Sequence, residues 1–214
     1  MFLIPAKTPA FIPWLFPRYT WKKPSDKKEL YLTFDDGPIP EVTTWVLDQL
    51  EHYNAKATFF CIGDNIEKHP EVFESILKNR HAIGNHTQNH LQGWNTNTQR
   101  YLENTYKAEA VIRKHSKGYT IPKKLFRPPF GKIKSSQSKV LLEKGYEIIM
   151  WRILTFDWKT STTPEHTLKH ALKASNGDII VFHDSLKASK NIKFTLPKFL
   201  EHFSKEGYEF KALY

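Results

Sequence analysis

The chain has 214 residues, of which 40% are hydrophobic and 25% charged, a composition typical of a folded domain and unlike that of disordered or fibrous proteins. Its single cysteine, Cys61, excludes an internal disulfide, so we expect burial alone to hold the core. The net charge of +10 belongs to the second half, because residues 101–214 carry 21 basic and 11 acidic side chains whereas residues 1–100 carry 11 of each.

A basic excess of this kind is found in proteins that bind nucleic acid, an anionic membrane or an acidic polymer. Here the lysines are scattered over predicted helices, with no arginine-rich or aromatic stacking motif beside them. We therefore interpret the excess as a solvated basic surface, and no nucleic-acid partner is expected. The sequence does not define an oligomeric state.

Residues 1–28 are apolar and rich in proline, and we predict an extended arm packed on the domain. An aromatic arm that faces a membrane or a partner is the alternative. Prolines interrupt every apolar run, so no transmembrane segment is expected. No signal peptide is visible, which favours a cytoplasmic location, although an exported protein without its leader would have the same sequence.

Residues 29–214 are predicted to form a single α/β domain, because seven short apolar runs alternate with six amphipathic runs. The apolar runs are continuous, as expected for parallel strands that helices cover on their faces. The predicted strands are Leu30–Phe34, Ala57–Cys61, Ala82–Asn85, Leu125–Arg127, Tyr146–Trp151, Asp178–His183 and Tyr208–Lys211. The predicted helices are Pro40–Tyr53, Pro70–Arg80, Thr98–His115, Ser135–Lys144, Pro164–Ala174 and Phe194–Lys205.

Polar residues of unusual type fall at or just after the ends of these predicted strands. The carboxyl ends of parallel strands lie on one face, so we expect these side chains to converge on one pocket. They are Asp35, Asp36, His86, His90, Arg127, Asp157 and His183.

The pair Asp35-Asp36 precedes Gly37-Pro38, a pattern that by itself is typical of a turn. At a strand end, however, successive carboxylates point in different directions, so one can bind a metal while the other acts as a base. His86 and His90 are four residues apart, and one helical turn would bring both imidazoles to one cation. Two His and one Asp leave an open position on zinc for water, as in catalytic sites.

A second pair, His166 and His170, lies in a predicted amphipathic helix, and we interpret it as solvated surface. Arg127 opens the stiff segment Arg127-Pro128-Pro129-Phe130-Gly131, where a guanidinium could hold a carboxylate through two hydrogen bonds. The alternative for Arg127 is a structural ion pair.

His183 follows an apolar run, and a lone strand-end histidine is more often a structural residue than a catalytic one. Asp157 could orient the imidazole of His183, and Trp158 could form a wall of the pocket. The alternative is a hydrogen-bonded loop aspartate beside a core tryptophan.

Together these motifs resemble the polysaccharide deacetylase family, also called carbohydrate esterase family four or the chitooligosaccharide-deacetylase homology domain. The resemblance covers about residues 29–212 and implies a distorted (β/α)7 barrel. The elements that carry it are Thr33-Phe34-Asp35-Asp36-Gly37, His86-Thr87-Gln88-Asn89-His90, Arg127-Pro128-Pro129-Phe130-Gly131, Trp151 with Asp157-Trp158, and Val181-Phe182-His183.

The resemblance implies a role for each position. The metal ligands would be Asp36, His86 and His90, holding a divalent ion, usually zinc and sometimes cobalt or another metal. The catalytic set would be Asp35 as general base, His183 as general acid, Arg127 as the partner of the base and Asp157 as the group that tunes the acid. The substrate would meet the backbone N–H of Phe130, the ring of Trp158 and a pocket wall that includes Val181.

The implied activity is metal-dependent removal of N-acetyl groups from N-acetylglucosamine-type sugars in peptidoglycan, chitin oligomers or a related glycan. Two departures from the family pattern concern the substrate: Leu154 stands where many members have an additional aspartate, and Val181 where leucine is usual. A metal amidohydrolase acting on a non-sugar C–N bond and a catalytically silent glycan-binding protein are the alternatives.

Overall fold

The computed structural model describes residues 5–214, so the first four residues of the predicted arm lie outside the described part. The helices are α1 (Phe11–Leu15), α2 (Pro40–His52), α3 (Gly63–Lys68), α4 (Pro70–Lys78), α5 (Thr98–His115), α6 (Ser135–Glu143), α7 (Pro164–Ala171) and α8 (Ser189–Lys205). The strands are β1 (Glu29–Asp35), β2 (Thr58–Cys61), β3 (Ala82–Asn85), β4 (Lys124–Phe126), β5 (Tyr146–Ile148), β6 (Ile153–Leu154), β7 (Ile179–His183) and β8 (Glu209–Lys211).

The strands form one parallel sheet that curls into an incomplete barrel. Its order is β5-β4-β3-β2-β1-β7-β6, and β8 pairs with the first residues of β1. Within residues 5–214 no ladder joins β5 to β6, so the ring stays open there; we call this opening the seam. The predicted α/β class and distorted (β/α)7 barrel are confirmed.

The core lies between the sheet and the helices around it. Four strands (β1, β2, β3 and β7) are buried almost throughout, because helices cover them. Val42, Val46 and Leu50 recur every four residues along α2 and form its buried stripe. Proline at the first position begins α2, α4 and α7, as predicted, since its missing N–H has no partner there in any case.

The predicted strand Tyr146–Trp151 is wrong in extent. β5 ends at Ile148, and the chain then crosses the seam to β6, which pairs with β7. The arm causes this break: the Thr20 N–H donates to the carbonyl of Ile148 at 2.8 Å, and the Met150 N–H donates to the carbonyl of Thr20 at 2.7 Å.

Two helices were not predicted, and a third begins earlier than predicted. The sequence pattern missed α1 and α3, which have five and six residues and are too short to show a helical period. α8 begins at Ser189, five residues before the predicted start at Phe194, and runs on through Pro197.

The arm covers the seam and makes backbone hydrogen bonds to both of its sides. On the β5 side the bonds run through Thr20, as above. On the β6 side the Leu154 N–H donates to the carbonyl of Ala6, and the Thr8 N–H donates to the carbonyl of Arg152, both at 2.8 Å. Trp21 is buried in an apolar cluster with residues of β4, β5, α5 and α6. Among the described residues no helix is both long and apolar enough to cross a bilayer.

Candidate active site

The carboxyl ends of the strands bring the predicted site residues to one face of the barrel. Asp35 is the last residue of β1 and lies beside His183, the last residue of β7. His86 and Arg127 directly follow β3 and β4, which are neighbours in the sheet. Parallel pairing therefore places residues as far apart in sequence as Asp35 and His183 around one opening.

A cluster of three possible metal ligands lies at this opening. Asp36, His86 and His90 each offer one ligand atom, and these atoms all lie within 4.8 Å of one another. The Asp36 Oδ1 atom is 3.2 Å from His90 Nε2 and 3.8 Å from His86 Nε2. This oxygen is buried and accepts no hydrogen bond from the described residues. A buried carboxylate oxygen without a partner is costly, and a cation between it and the imidazoles would satisfy it.

The protonation of the two histidines also suits a cation. The Nδ1 atom of His86 lies 2.7 Å from the carbonyl oxygen of Arg127, which can only accept, so Nδ1 carries the proton and the Nε2 lone pair faces Asp36. Burial lowers the pKa of His86 and that of His90, which keeps both imidazoles neutral at pH 7. The residues therefore fit a divalent metal, which prefers neutral imidazole and ionised carboxylate.

The two histidines do not lie on a helical turn, so that part of the prediction is wrong. The segment between them is irregular, and Thr87 and His90 both have positive φ, at 65° and 53°. The Thr87 N–H is held by the Oδ1 atom of Asn85 at 2.8 Å. Left-handed backbone rather than helical spacing thus aims both imidazoles at Asp36.

The same loop is held from the outside by Asn104 of α5. Its Oδ1 atom accepts from the N–H groups of Gln88 and Asn89 at 2.9 and 3.1 Å, and its Nδ2 donates to the Asn89 side chain at 2.9 Å. Sequence reasoning missed Asn104, because nothing in a helical Asn indicates which distant loop it will meet.

Asp184 is a second residue that sequence reasoning missed, although it directly follows His183. Its buried carboxylate accepts from the Gly37 N–H at 3.0 Å and from the Thr43 hydroxyl at 2.6 Å, and burial raises its pKa to about 7. A Cβ at Gly37 would lie 2.0 Å from Asp184 Oδ2, so only glycine fits there. Asp184 therefore fixes the turn that carries Asp36, whose φ is 81°.

Arg127 holds Asp35, but through one hydrogen bond rather than the predicted two. Its Nη1 donates to Asp35 Oδ1 at 2.7 Å and to the Thr33 hydroxyl at 2.7 Å. The remaining donors are used by backbone: Nε bonds the carbonyl of Ile149 and Nη2 that of Met150. The guanidinium is fully buried and every nitrogen has a partner, which makes this buried charge tolerable.

His183 is held by both oxygens of Asp157. Its Nδ1 lies 2.8 Å from Asp157 Oδ1, and its backbone N–H donates to Oδ2 at 2.7 Å. Burial works to lower the pKa of His183, but the charge and hydrogen bond of Asp157 outweigh it and raise that pKa to about 9. The imidazole is therefore cationic at neutral pH. The Trp158 ring lies against it, with ring centroids 4.6 Å apart.

The three predicted substrate contacts are spread around the same opening. Phe130 is 58% exposed and its ring lies 4.6 Å from that of His90. Trp158 lies on the side of His183, and Val181 is buried two residues before His183 on the same face of β7. The second histidine pair lies elsewhere: His166 is exposed, whereas His170 is half-buried against Phe156.

The fold and the site define an α/β barrel with an Asp–His–His cluster at the carboxyl ends of its strands. A sequence model of the polysaccharide deacetylase family matches residues 22–149. The chain belongs to the polysaccharide deacetylase family. It is 36% identical over 194 residues to a peptidoglycan-N-acetylglucosamine deacetylase of Bacillus cereus, covering 89% of each protein.

Other relatives widen the comparison. A crystal structure of the Bc1960 peptidoglycan N-acetylglucosamine deacetylase superposes with a TM-score of 0.86 at 32% identity, over 96% of this chain and 95% of that one. Chitin deacetylase 2 of Saccharomyces cerevisiae is 29% identical over 80% of this chain and 55% of its own length. The chain spans only 39% of the deacetylase PgdA of Listeria monocytogenes.

Proposed function

We propose that this chain is a metal-dependent hydrolase that removes N-acetyl groups from N-acetylglucosamine-type sugars in peptidoglycan, chitin oligomers or a related glycan. The observation that supports it most is the unpartnered Oδ1 atom of Asp36, which faces two neutral imidazoles. A carboxylate and a cationic imidazole end the two neighbouring strands beside it. Amide hydrolysis needs this combination of a cation, a base and an acid.

In this proposal Asp36, His86 and His90 hold the metal, which we take to be zinc, with cobalt or another divalent ion as a substitute. Such an ion, when bound, supplies Lewis-acid polarisation of the acyl carbonyl and lowers the pKa of water. The hydrogen bond from His86 to the Arg127 carbonyl orients the ligand and sets its tautomer.

Asp35 acts as the general base. Arg127 occupies its Oδ1 atom, which leaves Oδ2 to take the proton from the attacking water. Because Arg127 is buried and held by backbone carbonyls, it fixes the direction of the Asp35 carboxylate. The backbone N–H of Phe130 donates to the oxygen that gains charge as the water attacks.

His183 acts as the general acid. It is cationic because Asp157 raises its pKa, and its Nδ1 is committed to Asp157, so Nε2 delivers the proton to the departing amine. Trp158 packs against the imidazole and limits the orientations it can adopt. Val181 contributes to the wall that receives the acetyl methyl group. The products are acetate and a free amino sugar.

The test is acetate release from N-acetylated chito-oligosaccharides and from peptidoglycan fragments, with zinc or cobalt added to metal-free protein. We expect release that requires added metal, and a loss of at least about 100-fold in Asp35→Asn, as for removal of a general base. Asp48→Asn, an exposed aspartate on α2, is the matched control. Undiminished release by Asp35→Asn would refute the mechanism. Turnover of small amides without release from any glycan would indicate an amidohydrolase instead.

A further inference from the structure

A cavity of about 380 Å³ opens between α5 and the neighbouring strands β3, β4 and β5, and we call it the α5 cavity. Its volume lies within the range of small-molecule sites. None of the proposed metal ligands or catalytic residues lines it, so it is separate from the proposed active site. A water molecule occupies about 30 Å³ in the liquid, so the α5 cavity has room for a molecule of roughly a dozen non-hydrogen atoms.

Much of the wall of the α5 cavity is apolar. Ile83 of β3, Ile112 of α5, and Tyr119 and Ile121 of the segment after α5 line it. Ile83 and Ile112 belong to the buried core, whereas Tyr119 and Ile121 are half-buried at its edge. An apolar molecule in the α5 cavity would cover this surface and gain the free energy of hydrophobic burial.

The buried polar side chains of the wall are already hydrogen-bonded within the protein. Asn85 donates from Nδ2 to the carbonyl of Thr105 at 2.8 Å, and its Oδ1 accepts from the Thr87 N–H at 2.8 Å. The Ser116 hydroxyl donates to the carbonyl of Ile112 at 2.6 Å. Because these groups are committed, the buried part of the wall favours the apolar part of a ligand.

The exposed side of the α5 cavity is basic. Arg113, Lys123 and Lys124 line it and are exposed, against one lining carboxylate, that of Glu109. This carboxylate is already engaged: it lies 2.8 Å from Lys124 Nζ and 3.3 Å from Arg113 Nη2, and it accepts from the Tyr146 hydroxyl at 2.6 Å. Three cations beside one engaged carboxylate leave a positive excess at the mouth of the cavity.

Lys123 is the least committed of the three cations. Its Nζ atom lies 3.8 Å from Glu147, a carboxylate that Lys23 holds more closely, at 2.9 Å. It also donates to the backbone carbonyl of Tyr214. The charge at the mouth of the cavity would therefore attract an anionic group.

We propose that the α5 cavity binds a small amphiphilic carboxylate. Its apolar chain would lie against Ile83, Ile112 and Ile121, and its carboxylate would lie at the mouth beside Arg113 and Lys124. A saturated fatty acid of about ten carbons has this chemistry and, from the volume per atom above, this size. The site is additional to the proposed deacetylase site, and binding there requires neither metal nor glycan.

Monomeric decanoate is the probe, and isothermal titration calorimetry with the full chain measures its affinity. We expect a Kd of about 1 mM or lower, which a ligand of this size reaches at modest efficiency. Decylamine has the same chain with the opposite charge and should bind at least about fivefold more weakly, the size of an exposed ion pair. In NMR spectra of isoleucine methyl groups, decanoate should shift the signals of Ile83, Ile112 and Ile121 and leave that of Ile180, in β7, in place.

Two variants locate the bound probe. Ile121→Trp should fill the cavity and weaken decanoate binding at least about tenfold, because the chain loses its apolar contacts. Arg113→Met/Lys124→Met changes only exposed side chains and should weaken binding about fivefold. Lys114→Met is the matched control, since this exposed lysine of α5 does not line the cavity, and it should bind decanoate as the wild type does.

Three results would overturn the proposal. Wild-type affinity in both Ile121→Trp and Arg113→Met/Lys124→Met would show that decanoate binds elsewhere. Loss of binding in His90→Ala would place the carboxylate at the proposed metal ligands instead. Decylamine that binds as tightly as decanoate would show that the basic mouth makes no selection. Acetate release enters none of these measurements, so failure of the proposed function is detected separately.

Discussion

The carbonyl oxygen of Arg127 accepts a hydrogen bond from the Nδ1 atom of His86 at 2.7 Å, while the guanidinium of the same residue holds Asp35 at 2.7 Å. One residue at the end of β4 therefore orients both a proposed metal ligand and the proposed base. Its backbone sets the tautomer of His86, and its side chain sets the direction of the Asp35 carboxylate. A substitution of Arg127 is therefore expected to affect both the metal-ligand cluster and the general base.

Removing the guanidinium in Arg127→Met should leave Asp35 buried without its partner. We expect a loss of about 3–5 kcal/mol in the free energy of unfolding, the range for breaking a buried ion pair. Chemical denaturation measures it, with the exposed Arg100→Met as control. The double variant Arg127→Met/Asp35→Asn should recover part of the loss, since the unpaired charge is gone. Additive losses would contradict this account of the pair.

Asn104 should control metal affinity without touching the metal. Asn104→Leu removes the side-chain acceptor shared by the Gln88 and Asn89 N–H groups and leaves only the 3.2 Å bond from Gln88 N–H to the backbone carbonyl of residue 104, so the loop that carries His86 and His90 loosens. We expect cobalt binding to weaken about 10- to 100-fold, as for other residues that orient metal ligands. Titration followed by the visible absorption of bound cobalt reports this directly.

Two variants sharpen the Asn104 experiment. Asn104→Asp keeps an acceptor for both N–H groups and should restore most of the affinity. Gln99→Leu, on the exposed face of the same helix, removes a side-chain hydrogen bond to Glu103 that is unrelated to the loop and should bind cobalt normally. Equal affinities in Asn104→Leu and Gln99→Leu would show that the loop does not depend on Asn104.

The pH dependence of activity should be governed on its alkaline side by His183. Its pKa is raised to about 9 from 6.5, so the acid is charged at neutral pH and loses its proton as the pH rises through the raised value. A bound cation repels the imidazolium and so lowers the pKa of His183. In the metal-bound enzyme the alkaline limb of kcat/KM should therefore lie below pH 9. Asp157→Asn should move the limb further toward acid, because only the charges of Asp36 and Asp35 then oppose the effect of burial on the pKa of His183.

The same shift predicts how stability depends on pH. The contribution from the His183–Asp157 pair is fully present below 6.5 and is lost as the pH rises through about 9, since the folded state binds the proton more tightly. Thermal unfolding between pH 6 and 10 should show this loss in the wild type and a smaller one in Asp157→Asn. An alkaline limb that stays in place in Asp157→Asn would contradict the assignment of the acid.

The arm should protect the seam from solvent. Met150 and Leu154 donate their N–H groups to arm carbonyls, so shortening the chain to the predicted domain, residues 29–214, would expose both amides. Hydrogen exchange of these two amides should quicken by more than about 100-fold, while that of Phe34, a buried residue of β1, changes much less. Unchanged protection of Met150 and Leu154 would show that the seam closes without the arm.

The sequence allowed the site to be located because parallel strands bring their ends to one face whatever the details of the loops. Asp35 and His183 are neighbours for that reason alone. The predictions that proved wrong concerned features that depend on contacts between distant segments. Helical spacing was the wrong reason for the closeness of His86 and His90, and the break after Ile148 depends on Thr20.

The residues that were missed share this cause. Asp184 and Asn104 have no motif of their own, and their importance arises only when the Asp36 turn and the His86–His90 loop are folded against them. The single, rather than double, hydrogen bond between Arg127 and Asp35 is a similar case. Its second terminal nitrogen is taken by the carbonyl of Met150, which lies in a stretch predicted to be regular strand.

The contacts by which the arm covers the seam also determine when the arm can dock during protein synthesis. Thr20 is hydrogen-bonded to Glu147 across 127 positions of chain, so the arm has no partner on that side until Glu147 has been synthesised. The arm is thus made well before the segment on which it docks. Until then the unpaired backbone beside β5 and β6 is open to other chains, and chaperone binding to nascent protein would be concentrated there.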